Sequence, residues 1–186
     1  VPINTPARLH DDLLDLYGED QIALFVTATA RKEVERWLNE GDTTIDNTLS
    51  LGKDGPKEST ALVDYSLTFS KFLDQLAHES RHSKILRARL IVFTYMLWEK
   101  VYRPTICKEC SVDSIESHAF GDLRLYRNAI LHQNGKLDSD TKTLTVFGKD
   151  DIIHPTHNQL REIFQQLVIG LNDLGVRYYG ENPDFK

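Results

Sequence analysis

The stretch Asp122–Gly135, DLRLYRNAILHQNG, spaces its apolar residues as a helix does, yet places an arginine, an asparagine and a histidine among them. At about 100° per residue, Ala119, Phe120, Tyr126, Ile130 and Leu131 lie within roughly 80° of Leu123, which defines the face expected to meet a core. Arg127 falls only about 40° from Leu123, inside that arc, while Leu125, Asn128 and His132 point the opposite way and Arg124 lies between. A guanidinium among apolar side chains needs a carboxylate, other acceptors or a route to water. The segment thus predicts a helix ending near Gly135 and a fixed partner for Arg127.

The flanking segments carry the same period. Asp20–Glu40 has apolar positions Ile22, Leu24, Phe25, Ala28, Val34, Trp37 and Leu38, with Gly41 at the expected stop. Residues 42–59 are rich in Thr, Asn, Asp and Gly, carry Pro56, and predict a loop. Ser59–Ser80 places Leu62, Tyr65, Phe69, Phe72, Leu73 and Leu76 at three- and four-residue steps, with Ser59 or Thr60 as a cap. Ser83–Tyr102 includes LIVFTYMLW, apolar on every side, which predicts a central helix closed by Pro104. Pro155–Gly175 repeats apolar residues from Leu160 to Leu174 almost without fault. Between the motif helix and this last one, TLTVF alternates in part and predicts one arm of a small β-hairpin. The expected fold is all-α: a single-domain helical bundle of about five helices over residues 1–186, with that hairpin after the motif helix.

Composition agrees with a globular domain: 40% hydrophobic and 27% charged residues argue against wholesale disorder. No run approaches the roughly 20 apolar residues of a membrane span, and no basic-then-apolar leader is evident, so a cytoplasmic protein away from membranes is expected. Two cysteines cannot staple 186 residues, which agrees with a reducing compartment. The net charge of −6 excludes a surface coated uniformly for nucleic acid but leaves room for a local basic site. Ser80–Arg89 is the densest positive segment, with Arg81, Lys84, Arg87 and Arg89. It is either a solvated helix face or an approach surface for a polyanion.

The motif helix also admits two readings. In the structural one, Arg127 pairs with an acid from another helix and His132 is a surface histidine favoured near a helix C-terminus. The functional one draws on a likeness beyond spacing. LRLYRNAILHQNG resembles the signature of the HEPN superfamily, small helical bundles in which R-x(4–6)-H, commonly with Asn, Asp or His after the Arg, closes a late helix. Arg127, Asn128 and His132 match it position by position. The resemblance implies a metal-independent endoribonuclease of the kind found in toxin–antitoxin and antiviral systems, acting as a homodimer whose two motifs share a cleft, with RNA as substrate and an antitoxin or inhibitor protein as a further partner. Motif-less relatives serve as binding or scaffold modules, so a non-catalytic protein-binding module is the alternative.

The implied chemistry suits these residue types. RNA is cut without metal when its 2′-hydroxyl attacks the adjacent phosphorus with a base, an acid and a cation in place. The resemblance implies that His132 transfers protons, Arg127 grips the phosphate and Asn128 orients either, while Arg81, Lys84, Arg87 and Arg124 are the expected RNA contacts. Arg127 and His132 diverge by about 140° on one helix, so a dimer, which supplies His132 twice, eases the geometry. No cofactor or metal is expected. Cys107 and Cys110 have half a zinc spacing with only His118 near, and His78 with His82 has the spacing of a metal pair but no third ligand. A metal-dependent hydrolase built on these histidines would carry metal when purified. His154 and His157 mark the start of the last helix.

Overall fold

A computed structural model of the chain describes residues 5–41, 43–51, 65–77 and 79–180. These divide into two compact units, one formed by the described residues up to Asp20 with those from Lys84 onward, the other by Gln21–Ser83. Among the described residues the fold is all-α apart from one small two-stranded sheet. No helix among the described residues is long and apolar enough to cross a membrane.

The first unit contains the beginning of α1 (Thr5–Glu40), most of α3 (Arg81–Leu97), α4 (Arg103–Cys110), α5 (His118–His132) and α6 (His157–Leu174). Its core joins Leu9, Leu13 and Leu16 of α1 to Ile91 and Tyr95 of α3, Phe120, Leu123 and Tyr126 of α5, and Leu160, Ile163, Leu167 and Leu171 of α6. The α6 repeat is what the sequence predicts, and its start is fixed by a capping box between Thr156 and Gln159. α5 and α6 pack closely because Gly170 has no side chain: a Cβ there would lie 2.6 Å from the Cβ of Ala119. Trp98 stacks on Phe120 with centroids 4.1 Å apart.

Pro104 does not end the helix as expected. α3 continues through a π-helical turn, Trp98–Tyr102, into α4. The Arg103 N–H reaches the carbonyl of Trp98, five residues back. This wide turn and a place in the first turn of α4 accommodate a residue with no N–H to offer. Phe93 and Met96, expected at the centre of the bundle, are instead 46% and 47% exposed, so this side of α3 does not belong to the core.

The hairpin expected after the motif helix does not form there. Lys136 and Ile152 make only an isolated bridge, and residues 142–147 fold back onto α5. One carboxylate oxygen of Asp122 accepts the N–H groups of Lys142, Thr143 and Leu144 at 2.9, 2.5 and 3.0 Å, which removes the donors a strand ladder would use.

The two-stranded sheet lies in the second unit, where β1 (Thr48–Leu51) pairs antiparallel with β2 (Tyr65–Thr68) in the register Thr48↔Thr68. Thr68 caps the following α2 (Phe69–Gln75) through its hydroxyl. The described part of the Ser59–Ser80 segment is thus strand then short helix. Apolar residues at three- and four-residue steps also occur at alternate positions, and pairing with β1 decides the competition. The expected caps Ser59 and Thr60 lie outside the described residues. In α1, Val34 is buried as expected, but Ile22 and Phe25 are 65% and 73% exposed.

Candidate active site at the end of α5

α5 presents Ala119, Phe120, Asp122, Leu123, Tyr126 and Ala129 to the core. Arg127 is the next residue round the helix and is half-buried, as is Asn128, while His132 is the last helical residue and is exposed. Two positions differ from the helical-wheel expectation. Leu131, placed inward, is 48% exposed, and Leu125, placed outward, packs half-buried against the core.

Among the described residues, Arg127 finds no carboxylate on another helix. Its Nη1 donates to Oδ1 of the adjacent Asn128 at 2.9 Å, and its Nε is buried with no hydrogen-bond partner among the described residues. The first two motif residues therefore form one unit, a guanidinium oriented by a carboxamide with donor capacity left over. The helix then unwinds: Asn134 and Gly135 both take left-handed conformations, φ 52° and 85°, and the N–H of Gly135 returns to the carbonyl of Ala129 at 2.8 Å. A residue other than glycine at 135 would be strained and would crowd Ile152, 3.3 Å from its Cβ. His132 sits at this unwinding end as the last residue of α5.

The buried side of α5 steadies the loop beyond. Besides the three bonds to Asp122, the Tyr126 hydroxyl donates to the Leu144 carbonyl at 2.6 Å and accepts from the Phe147 N–H at 3.1 Å. Burial pushes the Tyr126 hydroxyl up to about 12. Neither role was anticipated. The signal was a carboxylate and a hydroxyl four residues apart beside the apolar arc.

The expected RNA contacts separate on inspection. Arg81 and Arg124 are exposed and Lys84 is half-buried. Arg87 is not available: it is fully buried, and its Nε donates to Oδ1 of Asp20 at 3.1 Å. The other oxygen of Asp20 meets His157 Nδ1 at 2.9 Å, and Tyr17 stacks on the His157 ring. Arg87 thus belongs to an internal charge cluster, and a desolvated guanidinium held this way cannot track a phosphate backbone. His157, expected as a boundary residue, opens α6 and joins that cluster.

Towards the start of α5, Arg124 borders a cleft of about 320 Å³ whose rim also carries Arg103, His118, Ser117 and Glu116 over a floor of Tyr95, Trp98 and Phe120. Cys107 and Cys110, one turn apart on α4, are not joined in a disulfide. Cys110 donates to the Tyr178 carbonyl at 3.5 Å, and burial raises its pKa. Among the described residues no three His, Cys, Asp or Glu side chains gather as a metal site would require. His78 lies outside the described residues.

Comparisons of the chain with protein-family models, with curated proteins and with solved structures give no match.

Proposed function

We propose that the chain is a metal-independent endoribonuclease of the HEPN type, with Arg127, Asn128 and His132 as its reacting groups. The observation that carries this reading is the state of Arg127. A structural arginine in an apolar arc would be neutralised by an acid, as Arg87 is by Asp20. Arg127 instead donates to the uncharged Asn128 and pairs with no acid among the described residues, within about two helical turns of an exposed histidine. A cation held in place but not neutralised is what a phosphate in its transition state needs.

In the proposed reaction the RNA 2′-oxygen forms a bond to phosphorus as His132 of one protomer takes its proton. The bond from phosphorus to the 5′-oxygen breaks, and that oxygen receives a proton from a second acid, the partner's His132 in a two-fold assembly. The products are a 2′,3′-cyclic phosphate and a 5′-hydroxyl. Arg127 stabilises the charge on the non-bridging oxygens, and Asn128 fixes the guanidinium.

The test follows a labelled RNA with EDTA in excess. Wild-type protein is expected to cleave it and leave a 2′,3′-cyclic phosphate on the 5′ fragment, and His132→Ala is expected to cleave about a hundredfold more slowly or worse. Because His132 is exposed at a helix end, its loss should cost roughly 0.5 kcal/mol or less, so circular dichroism should show an intact fold. Full activity in a folded His132→Ala protein would sink the mechanism. No cleavage of varied RNAs by the wild type would favour a non-catalytic module that binds a protein partner.

A further inference from the structure

The cleft beside Arg124 has no place in the reaction above, yet its make-up is specific. Two arginines from different elements meet at its rim, Arg103 from the first turn of α4 and Arg124 from α5. Both are exposed, and neither is in an ion pair among the described residues. They are close enough for both guanidinium charges to act on the Tyr95 hydroxyl in the floor. His118 and Ser117 add donors, and the Ser117 hydroxyl makes no bond to cap its own helix.

The negative groups do not cancel this charge. Glu116 is the acid at the rim. Glu99 lies close by but accepts from Tyr95 at 3.2 Å and faces Lys100 at 3.7 Å. With two arginines against one glutamate, the balance at the rim is positive. The aromatic floor is almost closed to solvent, with Trp98 4% and Phe120 1% exposed, so it shapes the cleft without offering a ring to stack on. A small tetrahedral anion suits such a site better than a base, because two planar guanidinium forks and a hydroxyl can divide its oxygens among them.

We infer that this cleft is a backbone subsite that holds an RNA phosphodiester through Arg103 and Arg124, with His118 and Ser117 as supplementary donors. The inference rests on the nuclease reading and extends it, since Arg124 is followed by Asn128 one turn later, about 6 Å along α5. A strand seated in the cleft therefore runs on towards the motif. Contacts of this kind fix register and orientation without reading sequence.

The probe is a fluorescent single-stranded oligoribonucleotide fully 2′-O-methylated, which lacks the attacking hydroxyl and cannot be cut by the proposed route. Its anisotropy is followed across a salt series with Arg103→Gln, Arg124→Gln and, as a control, Lys108→Gln, which removes one positive charge from α4 outside this cleft. Each arginine variant is expected to bind about tenfold more weakly and to lower the slope of log affinity against log salt by about 0.7, one phosphate contact on a single strand. Lys108→Gln should change neither by more than a small factor.

If wild type binds and Arg103→Gln binds equally well with an unchanged slope, the cleft is not a subsite, and cleavage of unmodified RNA still stands or falls on its own test. If Lys108→Gln weakens binding as much as Arg103→Gln, the effect is that of total charge and the subsite is overturned. Absence of binding by wild type overturns it too. Arginine-dependent binding without any cleavage of unmodified RNA would leave the subsite and remove the nuclease.

Discussion

Arg127 lies on the arc that the spacing of Leu123, Tyr126 and Ile130 assigns to it, half-buried, and this direction was legible in the sequence. Its partner was not. Residues adjacent on a helix do not normally face each other, so spacing alone does not point to Asn128, yet Nη1 turns to it. The consequence is a revised expectation for mutation. With no acid to strand, Arg127→Met keeps the aliphatic stem, removes a buried Nε that has no acceptor, and should leave stability unchanged or higher by up to about 1 kcal/mol. RNA cleavage by the same protein should be lost. Urea unfolding and the cleavage assay on one preparation check both halves; a large destabilisation, on the order of 3 kcal/mol, would show that the guanidinium serves the fold.

At the scale of elements, the buried side of α5 holds the returning loop, while Arg127 and Asn128 are half-buried and His132 stands exposed at the helix end. Asp122 is the main tie, with one oxygen accepting from three consecutive N–H groups. Asp122→Ala leaves those donors without their acceptor, and by the usual cost of losing bonds to a charged group it should lower stability by about 3 kcal/mol. Hydrogen exchange at Lys142, Thr143 and Leu144 should rise more than at α6. Equal acceleration throughout would mean that the loop has no separate anchor. The same loop shows where pattern reading stops. α6 was legible because its apolar repeat and its cap agree with each other. TLTVF has the composition of a strand, but a carboxylate 20 residues upstream takes the N–H of Lys142 and its two successors, and no local pattern announces that. The turn at Pro104 is similar, since a proline reads as a stop unless a widened turn is known to precede it. β2 depended on β1 across 13 or more intervening residues, beyond the reach of a helical window.

At the scale of the whole molecule, an apolar side chain next to the motif stands open to solvent. A single chain leaves Leu131 48% exposed directly beside His132, while Leu125 is already engaged with its own core. A two-fold assembly of the proposed kind therefore has Leu131 near its axis, where a second copy would cover it and bring two histidines to one cleft. Light scattering at micromolar concentration should give about twice the 21.3 kDa chain mass. Leu131→Arg should give the single-chain mass with an unchanged circular dichroism spectrum, because it sets like charges against each other across the axis without touching the core. It should also lose RNA cleavage although every motif residue is intact. Leu125→Arg should instead lower the unfolding midpoint, since that side chain packs inward. A strictly monomeric wild-type chain that still cleaves RNA would remove the shared cleft and require both proton transfers to come from one protomer.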